Sequence, residues 1–184
     1  MIKTDKQQLR GEIKSIQNSL SEEYIKEASA EIADAFLNFS EYKEAESIFV
    51  YISSPNEPDT RRIIQQALTD QKEVYVPKCI AKGEMLAVKI TEKTLFSKGY
   101  MGLTEPVIND STVILREGAD ITVVPCLCAC PDGRRLGHGA GFYDRFLEKH
   151  PSFSVCLCFS ALIREDIPTE KTDIIMNKVL SDRT

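Results

Sequence analysis

The run that decides the fold is Val123-Val124-Pro125-Cys126-Leu127-Cys128-Ala129-Cys130-Pro131-Asp132-Gly133-Arg134-Arg135-Leu136-Gly137-His138-Gly139-Ala140-Gly141-Phe142-Tyr143-Asp144-Arg145-Phe146-Leu147. It begins apolar and strand-like, passes a Pro-Asp-Gly turn, and ends with residues spaced for a helix. Between them Gly137, Gly139 and Gly141 alternate, which allows positive φ and lets backbone N–H groups approach an anion without Cβ obstruction. A helix starting just after Gly141 turns its free N–H groups and positive dipole end to the same place. Arg134 and Arg135 flank the loop as cations, and Asp144 stands where a carboxylate can hold a divalent ion. The stretch reads as a phosphate-cradling loop. It is neither a Walker loop, since no Gly-Lys-Ser/Thr follows, nor the G-x-G-x-x-G dinucleotide fingerprint.

Moving outward, residues 4–20 read as a helix capped by Thr4 or Asp5, with Leu9, Ile13, Ile16 and Leu20 as its apolar stripe. Lys6 and Arg10, four apart, project two cations from one face. A second helix runs from Ser21 to Phe39. Strands are expected at 47–53, 73–78, 85–90, 119–127 and 153–159, with a last extended segment at 172–180. Thr60 is placed to cap a helix over 61–68, and Glu57 and Asp59 lie in the loop before it. Lys78 ends a strand and is a candidate to face an anionic pocket; residues 98–106 form a glycine-punctuated loop carrying Tyr100. Strands alternating with helices predict one α/β domain over residues 1–184 with a largely parallel sheet.

The 184 residues suffice for a single core. A net charge of −5 argues against a nucleic-acid footprint, which needs a basic face. No apolar run approaches the ~20 residues that cross a bilayer, and the charged opening MIKTDKQQLRGEIK is unlike a secretory signal. Cys126, Cys128 and Cys130 alternate onto one face of a strand, but C-x-C-x-C lacks zinc spacing, so the six cysteines read as buried free thiols suited to a reducing cytosol.

The string Arg-Leu-Gly-x-Gly-x-Gly-Phe-Tyr-Asp-Arg-Phe-Leu closely resembles the signature of the 5-formyltetrahydrofolate cyclo-ligase family, also called methenyltetrahydrofolate synthetases. Matching motifs continue in the same order from Lys6 to the final strand. The resemblance implies an ATP-dependent ligase that cyclises 5-formyltetrahydrofolate to 5,10-methenyltetrahydrofolate, on the NagB/RpiA/CoA-transferase-like three-layer architecture. It implies ATP as co-substrate, held by Lys6, Arg10, Arg135, Leu136, Gly137, His138, Gly139, Ala140, Gly141, Phe142 and Tyr143, with Lys6 and Arg135 as catalytic residues. It implies folate contacts from Ile52, Glu57, Tyr100, His138, Gly139 and Phe142. It further implies Mg²⁺ on Asp144 and Asn177, and a monomeric cytoplasmic enzyme of small molecules, without nucleic-acid or membrane partners. Three positions depart from the family pattern: Ala129-Cys130 replaces an aromatic-Asp pair, Ala140 stands where Gly or Lys is usual, and Asn177 stands where some members place a magnesium-binding Asp, with Asp173 a nearby alternative. Two other readings stay open: another phosphate-binding enzyme of a related α/β fold, and a non-catalytic folate- or nucleotide-binding paralogue.

Overall fold

A computed structural model describes residues 2–183. The helices are α1 (Ile2–Ser19), α2 (Glu22–Asn38), α3 (Ser40–Glu44), α4 (Arg61–Thr69) and α5 (Phe142–Lys149). The strands are β1 (Ser47–Val50), β2 (Glu73–Ala81), β3 (Glu84–Ile90), β4 (Phe96–Lys98), β5 (Thr104–Pro106), β6 (Ile121–Val124), β7 (Cys128–Ala129), β8 (Arg135–Leu136), β9 (Phe153–Leu157) and β10 (Lys178–Leu180). Six of them form the central sheet in the order β10-β9-β6-β1-β2-β3. Its first five strands are parallel, and β3 returns antiparallel beside β2. The short pairs β4-β5 and β7-β8 form two small antiparallel ribbons.

Side-chain alternation sorts the sheet's two faces. Ile48 and Val50 of β1, with Val74 and Val76 of β2, join the core that receives Ile13 of α1, Ile32 and Phe36 of α2, and Ile63 of α4. Phe49 and Tyr75 point the other way, to Phe146 of α5 and Ala87 of β3. Helices thus cover both faces, as a buried parallel sheet requires. On either side of β1 lie β2 and β6, so the strand order reverses direction there, and the crevice beyond the carboxyl ends of β1 and β6 is the expected ligand edge.

Several local expectations change. The first helix begins at Ile2, so Thr4 and Asp5 fall inside its opening turns rather than before them. Ser21, by contrast, caps α2 by accepting the Tyr24 N–H. On α1 the inward stripe is half polar: Ile16 is exposed, and its place is taken by buried Gln17 alongside buried Lys6 and Ile13. Thr60 precedes α4 but makes no cap bond; its hydroxyl donates to the Tyr51 carbonyl at 2.7 Å and accepts the Ser53 N–H. Asp59 supplies the cap instead, accepting the Arg61 N–H at 2.9 Å. Strand β6 stops at Val124 because Pro125 cannot continue the ladder. The run Cys126–Cys130 is therefore not one strand, although all three of its thiols are buried and free.

Candidate active site

A cavity of about 1140 Å³ opens where the sheet's direction reverses. Tyr51 and Ile52, just past β1, and Pro125, just past β6, form part of its floor. The loop Gly137–Gly141 and the first turn of α5 form one wall, and α1 forms another through Lys6, Arg10 and Gln17. This volume exceeds that of most single-ligand pockets, so it suits two substrates side by side.

The loop takes the shape its glycines permit. Gly139 and Gly141 adopt φ of +100° and +66°, and Gly141 is the residue before α5, left-handed and without a side-chain cap. Gly137 needs no positive φ. A Cβ at Gly139 would lie 3.2 Å from Cζ of Arg10, so this glycine also makes room for a cation. Arg145 fastens the loop from behind: its guanidinium donates to the Ala140 carbonyl, and to the Gly83 carbonyl in the β2-β3 turn at 2.9 Å.

Three cations line the cavity, each already oriented. Arg10 Nε donates to the Gly137 carbonyl at 3.0 Å. Buried Arg135 donates to the Ile174 carbonyl at 2.8 Å and to Oδ1 of Asp144 at 2.9 Å. Lys6 pairs with Oδ2 of Asp173 at 2.5 Å. The same carboxylate oxygen of Asp173 accepts the Glu170 N–H, and Asp144 Oδ1 also accepts the Ile174 N–H. The tail segment 170–174 is therefore strapped across the glycine-loop side of the cavity. Arg134, expected beside Arg135, faces away: just before β8, it reaches Asp132, Asp166 and the Ile167 carbonyl.

Glu57 lies beneath its own loop, with Oε2 accepting the Ser54 N–H at 2.8 Å and Oε1 3.5 Å from Nε2 of His138 in the glycine loop. Tyr100 and Phe142 meet edge to face, with ring centroids 6.1 Å apart, and both line the cavity. Tyr143 leans on Phe49, and burial together with the nearby Glu57 charge raises its hydroxyl pKa, so it stays protonated. Lys78 does not reach the cavity. It pairs at 2.9 Å with buried Glu105, which also accepts the Cys79 N–H and closes the space above Gly99. Burial, then the Glu105 carboxylate, pushes the Cys79 thiol up to about 12, which leaves it protonated and unreactive at neutral pH.

The cavity thus gathers Lys6, Arg10, Ile52, Glu57, Tyr100, the segment Arg135–Tyr143 and Asp144. Asn177 is not among them. Its Oδ1 accepts the Ser154 N–H at 2.8 Å and the Ser154 hydroxyl at 2.9 Å, joining the β10 approach to β9. The sequence reading missed Gln17, Arg145, Cys79 and Glu105. Only Gln17 left a signal, since it shares the face of Arg10 and Ile13 at helical spacing.

A switch-point crevice with a glycine loop, a helix N-terminus and three fixed cations defines a phosphate-handling α/β enzyme. A family model described as the 5-formyltetrahydrofolate cyclo-ligase family matches residues 2–182. The chain belongs to that family of ATP-dependent ligases. The 5-formyltetrahydrofolate cyclo-ligase of Haemophilus influenzae is 30% identical over 180 residues, spanning 95% of this chain and 96% of that one. The Mus musculus enzyme of the same name is 26% identical, spanning 97% and 94%. The solved structure of Aquifex aeolicus 5,10-methenyltetrahydrofolate synthetase shares the fold with a TM-score of 0.85 at 24% identity, covering 97% of this chain and 90% of that one.

Proposed function

We propose that the cavity carries out the family's cyclisation with the phosphate of ATP on the glycine-loop side and the folate between Glu57 and the Tyr100–Phe142 pair. One observation supports this division: the three cations are tied to the loop and to the 170–174 tail, whereas Glu57 is tied to its own turn and the Tyr100–Phe142 ring pair lines the same cavity. Phosphoryl transfer needs positioning and charge neutralisation more than a nucleophilic side chain, and Lys6, Arg10 and Arg135 supply both.

The formyl group of the substrate is an amide, whose oxygen is a poor leaving group. Its oxygen attacks the γ-phosphorus and ADP departs. N10 then attacks the activated carbon and gives up its proton, the C–O bond breaks, and phosphate leaves with the methenyl bridge formed. Arg135 and Lys6 hold the transferring phosphoryl, and Arg10 holds the loop carbonyl and the phosphate chain. Glu57 accepts hydrogen bonds from the pterin N–H groups, and Tyr100 and Phe142 flank the ring.

Mg²⁺ fits beside Asp144, whose Oδ1 takes both of its hydrogen bonds and leaves Oδ2 for an ion that typically binds one or two carboxylates plus phosphate oxygens. Bound there, Mg²⁺ would neutralise phosphate charge. Asn177, committed to Ser154, is not proposed as a ligand. We read the enzyme as a monomer of the cytosol, and its six free cysteines support that compartment.

The test mixes purified protein, MgATP and 5-formyltetrahydrofolate, and follows methenyltetrahydrofolate by absorbance with ADP counted in parallel. Equal, ATP-dependent formation of both is expected. Tight ATP binding without either product would instead indicate a binding-only protein.

A further inference from the structure

Helix α1 lines the cavity with Lys6, Gln7, Arg10 and Gln17, and the last stands apart from the others. Lys6 and Arg10 reach the tail and the glycine loop, respectively, while Gln17 lies two turns beyond Arg10 on the same face. Its side chain is buried, with 7% of the residue exposed, and it lines the cavity. Its Nε2 donates to the main-chain carbonyl of Asn56 at 2.6 Å, one residue before Glu57. Glu57 in turn closes its own turn on Ser54, through the Ser54 N–H to Oε2 and the Glu57 N–H to the Ser54 carbonyl at 3.0 Å. The Ser54–Glu57 turn is thus a small closed unit, tethered to α1 chiefly by one buried bond. The exposed Asn56–Asn18 contact, at 3.4 Å, adds little.

We propose that Gln17 is a positioning residue for the folate end: it fixes the height of Glu57 relative to the phosphate end. Because α1 is one rigid rod, the bond links the carboxylate facing the pterin to the cations facing ATP. This rests on the assignment of Glu57 to the folate. Losing the donor leaves the Asn56 carbonyl unpaired and frees the turn to shift, while Lys6 and Arg10 keep their own partners.

The variant is Gln17→Met, which keeps the side chain's length and burial and removes its donor. Dissociation constants for 5-formyltetrahydrofolate and for ATP are measured separately by calorimetry, alongside KM and kcat. The expected result is about a tenfold loss in folate affinity and KM, with ATP affinity within about twofold of wild type. Gln17→Asn, which keeps the amide but shortens its arm, is expected to show the same asymmetry more mildly, and it serves if Gln17→Met does not fold. Equal losses for both ligands, or unchanged folate affinity in a folded variant, would overturn the proposal. The binding measurement separates the two claims. Wild type that binds folate without turnover sinks the catalytic reading and leaves Gln17 judged by affinity, whereas wild type that binds no folate removes both.

Discussion

The two ends of the cavity are built differently. At the end proposed for phosphate, Arg135 is partnered by Asp144 and the Ile174 carbonyl, Lys6 by Asp173, Arg10 by the Gly137 carbonyl, and Arg145 by the back of the loop. The end proposed for folate has fewer restraints. Tyr100 sits in the segment between β4 and β5, tied to the sheet through the Lys78–Glu105 pair, and Leu95, Phe96 and Leu103 around it are exposed. A transferring phosphoryl changes little in size and demands charges fixed before reaction. A flat pterin with a long tail can be received by an aromatic pair that closes on it. The contrast predicts that damage at the phosphate end appears mainly in kcat, and damage at the folate end mainly in KM.

The largest break in that contrast should come from Arg135→Ala. It removes a cation aimed at the phosphoryl and leaves Asp144 without its partner, so kcat should fall by about 10²–10³-fold with a smaller change in the folate KM. Steady-state kinetics over both substrates check this. Next comes Glu57→Gln, where the folate KM should rise by about tenfold while ATP-dependent terms stay near wild type. An equal effect on both substrates would blur the two ends into one.

The hairpin can be probed through pH. Burial alone would raise the Glu105 carboxyl, but the Lys78 ammonium and the Cys79 N–H outweigh it and hold its pKa below the usual carboxylate range. A carboxylate depressed in the folded state stabilises fully above its unfolded pKa, near 4.3. That contribution is lost as pH falls through the lower folded value. Thermal melts should show wild type losing more stability than Glu105→Gln between about pH 5 and the acid limit, with the variant the less stable of the two at neutral pH. The smallest effect on function is expected from Asn177→Ala. It should cost about 1 kcal/mol of stability through lost bonds to Ser154 and leave the Mg²⁺ concentration dependence of turnover unchanged. A shifted Mg²⁺ dependence would bring Asn177 back as a ligand.

Much of this was legible in the chain. The glycine run, the helix beginning at Phe142 and the parallel strands around them follow from residue type and period. So do Lys6 and Arg10 on one helical face. What escaped was set by tertiary partners. Arg134 and Arg135 look equivalent in sequence, yet the carboxylates Asp132 and Asp166 turn one of them outward. Lys78 was offered as a pocket cation, but Glu105, 27 residues later, claims it inside a hairpin that the glycine-rich stretch disguised as a loop. Ile16 continued an apolar stripe on paper, whereas the cavity wall called for the polar Gln17. A local pattern shows which face of a helix is buried, but not whether it is buried against core or against a site.

The central claim is that ATP activates the formyl oxygen within this cavity, and oxygen tracing tests it most directly. With 5-formyltetrahydrofolate carrying ¹⁸O in the formyl group, a single turnover should place the label in the released phosphate, as mass spectrometry of the phosphate would show. Unlabelled phosphate formed together with methenyltetrahydrofolate would contradict the account, because the formyl oxygen would then have left by another route.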